Sequence, residues 1–207
     1  MSRDVRRFLL LACPLVVLAA CAVGNRIYIS GEPSRPGAPR RPAEAPQAVV
    51  LDFAFVAVEP GVVGRDYDQV RPIEWKGEPG KAMADLVASV LAEGGVAAVR
   101  AAAESPSLDT VPIRISGTVG RFEVNARRKG TVKIVNEATV SLSVTAAGGT
   151  LSAPVSFSTT STNSMEDVFV TPDGLRNVLF SAANAAAEEA GRRLFGAGVV
   201  APPPSGK

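Results

Sequence analysis

The sequence predicts an α+β domain in which two helices cover one face of a mainly antiparallel sheet of four or five strands. Three segments between residues 111 and 157 alternate apolar and polar residues with a period of two. Two others, 81–93 and 172–195, repeat apolar residues at helical spacing. Gly-Gly, Pro-Gly and Asp-Gly pairs separate the segments. The predicted order is β-α-(β)-β-β-β-α, the bracketed element being a short edge strand at residues 96–100.

The first strand is predicted at residues 48–58, followed by a long loop. Its apolar residues occupy both parities, which is typical of a central strand buried on two faces. One face would carry Leu51, Phe53 and Phe55, and the other Val50, Val56 and Val58. Pro60-Gly61 ends this strand, and residues 59–79 are expected to form an irregular loop. A 21-residue connection without secondary structure is uncommon unless it is functional or disordered.

Two apolar stripes predict the helices. The first helix, residues 81–93, is expected to end at Gly94-Gly95 and to bury Met83, Leu86, Val87, Val90 and Leu91. The second has Thr171 as its cap and Pro172 in its first turn. Its alanine-rich stripe would allow close approach to the sheet: Leu175, Val178, Leu179, Ala182, Ala183, Ala186, Ala190 and Leu194.

The last three strands have hairpin spacing. The apolar parity changes near Gly117 and Gly120, which predicts a bulge in the strand 111–124. Residues 125–130 are expected to turn, and residues 132–144 to form a half-buried strand. Gly148-Gly149 turns the chain into a third strand. Residues 156–164, with seven Ser or Thr in nine positions, indicate an exposed strand edge and loop.

The N-terminus has the features of an export signal. A start containing Arg3, Arg6 and Arg7 precedes thirteen uncharged residues, 8–20, too few for a transmembrane helix but suited to a secretory peptide. The stretch Leu18-Ala19-Ala20-Cys21 resembles the bacterial lipobox. The resemblance implies removal of residues 1–20 and acylation of Cys21, and two acyl chains anchor a protein stably. The alternative is a plain signal peptide cut near Ala20, which leaves Cys21 as a free thiol.

The expected mature chain is a tether, one domain and a tail. Residues 21–47 contain five prolines and would form an extended tether reaching at most about 78 Å. Within it, Ile27-Tyr28-Ile29 is expected to dock on lipid or on the domain. The domain covers residues 48–195, and 196–207 are expected to be a loose tail. Removal of residues 1–20 leaves 19 basic and 19 acidic residues, so the charge gives no indication of nucleic-acid binding.

Composition excludes most catalytic chemistry. The chain has no histidine, and its two cysteines, Cys13 and Cys21, precede the domain. No G-x-S-x-G motif occurs, and Gly61-Val62-Val63-Gly64 lacks the Lys-Ser/Thr of a phosphate loop. We therefore expect neither an enzyme nor a cofactor nor a metal site.

Three groups of residues are candidates for binding, each with a plain structural alternative. Tyr67 and Trp75 are suited to an interface with a partner. The alternative is that both pack back onto the sheet. Arg127, Arg128 and Lys129 at a hairpin tip suit lipid phosphates or an acidic partner, or are simply solvated. The acidic residues of the long loop could gather around Ca²⁺, although their spacing is more typical of a solvated loop: Asp66, Asp68, Glu74 and Glu78.

The order of these segments resembles a known group of bacterial proteins. The segments follow one another in this order: a lipobox, a spacer, the strand Val49-Val50-Leu51-Asp52-Phe53, a long loop, a helix ending in Glu93-Gly94-Gly95, a three-strand meander and an Ala-rich helix. Over residues 47–195 this succession resembles the YajG-like lipoproteins and the auxiliary lipoproteins of ABC and lipid-transport systems.

The resemblance implies a non-catalytic accessory protein of the cell envelope with an envelope protein as partner. Ala22 and Val23 follow the lipidated residue with no Asp retention signal, so by analogy with enteric lipoproteins we expect the periplasmic face of the outer membrane. Two alternatives remain open. One is an auxiliary that binds a lipid or amphiphile between sheet and helices; the other is an activator of a periplasmic cell-wall synthase, whose tether would be longer than this one.

Overall fold

The computed structural model describes residues 25–35, 46–101, 113–149 and 151–200. Two helices lie in these ranges, α1 (Pro79–Glu93) and α2 (Pro172–Gly196). The strands there are β1 (Ile27–Ile29), β2 (Ala48–Leu51), β3 (Ala54–Phe55), β4 (Val62–Asp66), β5 (Arg71–Trp75), β6 (Ala98–Ala101), β7 (Ile113–Lys129), β8 (Lys133–Gly148) and β9 (Val155–Asp167). Neither helix has the length and apolarity needed to span a bilayer.

Strand β7 is the axis of one mixed sheet. On one side it pairs antiparallel with β8, which pairs antiparallel with β9. On the other side β2, β3 and β4 lie one after another along β7, each parallel to it. Beyond these, β6 pairs parallel with β2, β5 pairs antiparallel with β4, and β1 pairs parallel with β5.

The prediction of four or five mainly antiparallel strands is therefore wrong in number and in character. The predicted strand 48–58 is two short strands, because the chain breaks at Asp52 and Phe53 and the N–H of Phe53 donates to the carbonyl of Gly80 in α1. Val56 and Val58 are exposed rather than buried. Strands of two to five residues contain too few alternations to be recognised by periodicity.

The expected loop 59–79 is also wrong, because its centre is the hairpin β4–β5. Gly64 lets β4 lie against β7, since a Cβ at this position would stand 1.7 Å from the carbonyl oxygen of Val124. The register shifts between Val62 and Gly64, and Pro72 occupies the partner strand. Glycine, a bulge and proline obscure any alternation in the sequence.

The two helices were predicted correctly, and both pack on the same face of the sheet. The hydroxyl oxygen of Thr171 caps α2 by accepting the N–H of Gly174 at 3.1 Å. All eight residues of the predicted α2 stripe are buried, and Gly191 of α2 touches Val90 of α1. The β7 bulge falls between Val119 and Arg121, as expected. The turn predicted at 125–130 is wrong, because β7 continues to Lys129 and the chain turns at 130–132.

Residues 27–35, which we call the N-terminal strap, pack on the domain. Ile27 and Ile29 are buried in β1, so of the two docking expectations the domain is the one observed. The carbonyl of Gly31 accepts the indole N–H of Trp75 at 2.8 Å. The guanidinium of Arg35 bonds Glu93 at the end of α1 and Glu188 of α2, at 2.8 and 2.6 Å. At the other end of the chain Val199 and Val200 are buried after α2.

Candidate partner-binding surfaces

Three connections meet at one end of the sheet, which we call the hairpin end. They are the β4–β5 turn (67–70), the β7–β8 turn (130–132) and the β9–α2 loop (168–171). Residues from all three line one shallow depression of about 400 Å³. The hairpin end therefore brings together Tyr67, Arg127, Arg128 and Lys129, which the sequence analysis singled out separately.

Asp66 organises the β4–β5 turn from a fully buried position. One carboxylate oxygen accepts the N–H of Asp68 at 3.1 Å, and the other accepts the guanidinium of Arg71 at 2.8 Å. The turn ends at Val70 with φ +53°, a left-handed conformation that a β-branched residue rarely adopts. Both carboxylate oxygens of Asp66 are thus engaged within the turn, and Arg71 is its ionic partner. Among the described residues no three metal-binding side chains cluster.

The cations of β7 are engaged with neighbours. Arg128 makes a two-point ion pair with Asp68, at 3.0 and 2.6 Å, which lowers the pKa of the Asp68 carboxyl. Arg127 lies over the ring of Tyr67, 4.9 Å from its centroid. These residues belong to the end of a strand rather than to the predicted turn.

Lys129 shares the partner Glu166 with Lys133, a contact that no sequence pattern predicts. Its ammonium and that of Lys133 each lie 2.7 Å from the carboxylate of Glu166 on β9. The two hydrogen bonds lower the pKa of Glu166 to about 2. Register brings these groups together, since Lys133 is opposite Lys129 in one hairpin and Glu166 is opposite Val135, two residues after Lys133 on β8. The sequence carries no local signal for it.

Large apolar side chains point to solvent beside these ion pairs. Val70 is 71% exposed, Val132 is 65% exposed and Phe169 is 71% exposed, and Val168 is half exposed. They come from the three different connections of the hairpin end. The run Val168-Phe169-Val170 was the available sequence signal, because an apolar run in a loop is unusual unless it is buried or binds something.

Trp75 is not a surface anchor, and its assignment to partner binding is corrected. It is only 2% exposed, and its ring stacks on Phe122 with centroids 5.0 Å apart. Phe180 of α2 meets it edge-on at 5.8 Å. The plain alternative for this residue, packing onto the sheet, is what the structure shows. Tyr67 is half exposed and remains a surface residue.

A second surface is the outer edge of the sheet at β9. In the described part of the chain β9 pairs with β8 alone, so its other edge has no strand beside it. Hydroxyls cover the outer face, with Ser143 to Ser158 and Thr145 to Ser156 each 2.9 Å apart. Arg193 of α2 donates to the carbonyl of Ser158 at 3.1 Å. The Ser/Thr-rich exposed edge thus agrees with the sequence expectation, and the strand extends to Asp167.

A third surface is a groove of about 580 Å³ beside the strap. Tyr28, Gly31, Trp75 and Gly77 contribute to its lining. It opens outward along β1 and β5 rather than between the sheet and the helices. The predicted lipidation residue Cys21 and the lipobox residues Leu18, Ala19 and Ala20 lie outside the described residues.

Comparison with known proteins identifies the fold. No family model matches the chain, and no curated protein matches it. A Xanthomonas campestris protein of the family DUF330 is similar with a TM-score of 0.53 and 14% identity, over 84% of this chain and 93% of that one. An uncharacterised protein gives 0.49 and 12%, over 82% and 99%. A candidate lipoprotein from Caulobacter crescentus gives 0.36 and 15%, over 73% and 93%. The TM-score of 0.53 shows that the chain shares its α+β fold with the Xanthomonas protein. An identity of 14% shows nothing beyond the fold.

Proposed function

We propose that this chain is a lipid-anchored protein of the bacterial cell envelope that docks a partner protein along β9 and has no catalytic activity of its own. The anchor is acylated Cys21, supported by the lipobox resemblance and by the short apolar segment before it. The outer membrane, facing the periplasm, is the proposed location.

In the described part of the chain no strand covers the outer edge of β9, and this is the observation that carries the docking role. Arg193 of α2 binds the carbonyl of Ser158, so the proposed docking stretch is the part of β9 after Ser158. The 13 residues of β9 extend over about 40 Å at roughly 3.3 Å per residue. Residues 155–165 contain no Lys, Arg, Asp, Glu or Pro. Charges and prolines are the usual protection of a free edge against pairing with another strand. An edge of this length without them suits β-augmentation, in which an extended partner segment hydrogen-bonds to the exposed backbone.

The occupant we propose is an extended segment of another envelope protein. The side chains flanking the edge are mostly hydroxyls, with Ser156, Ser158, Thr160, Thr162 and Ser164 exposed. Interfaces between permanently associated copies are more apolar than this, whereas partners that bind reversibly use more polar and wetter surfaces.

The absence of catalysis is proposed from the composition, and four carboxyls agree with it. With no histidine in the chain, Asp and Glu are the main candidates for general acids. The carboxyls of Asp68, Glu93, Glu166 and Glu189 all have pKa values lowered by Arg or Lys partners. A carboxyl that acts as a general acid needs a pKa raised toward neutral pH, which is the opposite shift.

Two features favour docking over the alternative roles. The alanines of α2 are buried, and Gly191 of α2 lies against Val90 of α1, so the helical layer is closely packed where an amphiphile carrier would need room. The strap begins at Ile27, so only residues 21–26 separate the proposed anchor from the packed domain. That spacing is much shorter than the predicted tether and speaks against an activator that must reach across the periplasm.

The docking proposal is tested with a photo-crosslinking amino acid at Ser164 in cells. We expect an adduct with a different polypeptide that is lost in Thr160→Lys/Thr162→Lys, because two ammonium groups on the edge oppose strand addition. The matched control is Thr118→Lys/Ser143→Lys, which places two charges on the same face but on β7 and β8. It should keep the adduct.

Two outcomes contradict this proposal. An adduct that persists in the edge variant excludes β9 as the docking edge. An adduct that contains only two copies of this chain identifies self-association instead of a partner.

The anchor is tested separately, since Cys21→Ser should move the protein from the membrane to the soluble fraction. Unchanged membrane association would contradict acylation.

A further inference from the structure

The path of the strap shows from which end of the domain the chain leaves toward its N-terminus. Strand β4 runs parallel to β7 toward the hairpin end, and β5 returns from it. Strand β1 is parallel to β5, with Ile27 opposite Ile73, two residues after β5 begins. Residues before Ile27 therefore leave the sheet on the side of the hairpin end.

The distance available to the anchor is short. Five residues lie between Cys21 and Ile27, and the six Cα–Cα steps of a fully extended chain, at most about 3.5 Å each, span roughly 20 Å. Ile27 is 6% exposed and Ile29 is 4% exposed, so β1 belongs to the packed core. If Cys21 carries acyl chains, the hairpin end is the part of the domain that faces the membrane at close range.

The hairpin end also exposes the side chains that a lipid surface accepts. Val70, Val132, Val168 and Phe169 come from three separate connections and point to solvent. Burial of apolar side chains at the headgroup boundary favours membrane contact in proportion to the area removed from water. Because an anchor keeps the domain at a high local concentration near the bilayer, even weak apolar contact suffices to orient it.

We propose that the hairpin end rests on the phospholipid surface of the membrane that holds the anchor, with Val70, Val132 and Phe169 in contact with lipid. The inference rests on the proposed acylation of Cys21 and adds the orientation of the domain. The chain's exit point and the exposed side chains coincide at one end, and this coincidence selects lipid over a protein partner.

The charges nearby agree with apolar rather than ionic contact. Arg128 is paired with Asp68, and Lys129 and Lys133 are paired with Glu166. These five charges sum to only +1, which gives weak attraction to anionic headgroups, so binding should depend weakly on the anionic lipid fraction. Strand β8 extends about 50 Å from the hairpin end, at roughly 3.3 Å per residue. Because β9 runs beside β8, most of the β9 edge lies away from the membrane and stays accessible to a partner.

The test uses the full acylated protein in phosphatidylethanolamine/phosphatidylglycerol vesicles that contain a nitroxide-labelled lipid. Cys13 leaves with the signal peptide and Cys21 is acylated, so an introduced cysteine is the single free thiol. A fluorescent label at Val132→Cys reports the hairpin end, and one at Ser152→Cys, in the β8–β9 connection, reports the opposite end. We expect quenching at least roughly threefold stronger at residue 132, since about 50 Å separates the two positions.

A second variant separates contact from mere proximity. With the label at residue 132, Val168→Ser/Phe169→Ser removes exposed apolar surface without touching the core, and we expect quenching to fall by about half or more. Unchanged quenching would show that the anchor alone holds the end near lipid, which overturns the contact.

The remaining outcomes distinguish this inference from the proposed function. Equal quenching at both positions, or stronger quenching at residue 152, overturns the orientation while leaving the anchor intact. A label at residue 132 that is shielded from both the lipid nitroxide and aqueous iodide indicates that protein covers this end, and also overturns it. Protein that fails to float with the vesicles contradicts the anchor itself.

Discussion

Asn136 on β8 is a buried amide that the protein tolerates at a cost. Its side chain is fully buried, and among the described residues neither its oxygen nor its nitrogen has a hydrogen-bond partner. It faces the start of α2, close to Gly174. An unsatisfied buried polar group costs about 1–3 kcal/mol.

We expect Asn136→Leu to raise the free energy of unfolding by about 1–3 kcal/mol, because leucine has a similar size and needs no hydrogen bonds. Urea denaturation followed by circular dichroism measures the change. Asn163→Leu, on the adjacent strand β9, is the control and should change stability little, since that residue is less buried. A loss of stability in Asn136→Leu would mean that the amide is satisfied in solution.

Glu166 should titrate far below an ordinary glutamate. Its folded-state pKa of about 2 lies under the ordinary value of 4.5, so the two lysine contacts stabilise the fold above pH 4.5 and are lost as pH falls toward 2. Carboxyl carbon NMR should give a midpoint near 2, which rises toward 4.5 in Lys129→Ala/Lys133→Ala. Lys76→Ala removes a cation elsewhere and should leave the midpoint in place.

At the scale of elements, the contact between α1 and α2 depends on a missing side chain. A Cβ at Gly191 would stand 2.3 Å from a γ-carbon of Val90, and valine has few rotamers through which to move away. The alanines of α2 act in the same direction by letting the helix approach the sheet closely. Small residues thus determine the spacing of the helical layer.

Gly191→Ala should therefore destabilise the protein by about 1–3 kcal/mol through overpacking, although Gly→Ala normally favours a helix. Gly196→Ala is the matched control at the end of the same helix, where nothing lies within 4 Å of the added carbon. It should leave the melting temperature unchanged or raise it slightly. Equal effects of the two substitutions in a thermal melt would refute the packing explanation.

At the scale of the whole molecule, the N-terminal strap joins the sheet edge to both helices. Ile27 and Ile29 extend the core beyond β5, Gly31 accepts the indole N–H of Trp75, and Arg35 bridges the two helices. A segment that the sequence predicts to be part of a tether is thereby part of the fold.

Ile29→Ser should release the strap and lower stability by about 2 kcal/mol or more, since a buried isoleucine is lost from the core. Hydrogen exchange should quicken in β5, its pairing partner, while β8 amides stay protected. Tyr28→Ser changes the neighbouring, half-exposed residue and should preserve the exchange pattern. Equal exchange in both variants would show that the strap contributes little to the packing of the edge.

Local sequence is sufficient to predict both helices, the long β7–β8–β9 meander with its bulge, and the hydroxyl-rich edge. Each of these contains enough repeats of one period, or a cap such as Thr171, for local physics to dictate the element. Cys21 and the signal before it are likewise read from local sequence, as a prediction.

The tertiary structure decided which short segments become strands and what each candidate site residue does. Strands β1 to β5 have two to five residues, and their pairing energy comes from partners distant in the chain, so no local pattern encodes it. The same long-range register buried Trp75 against Phe122 and placed Glu166 between two lysines. It also places Val70, Val132 and Phe169 at one end of the sheet, because strand pairing brings the three connections that carry them to the same end.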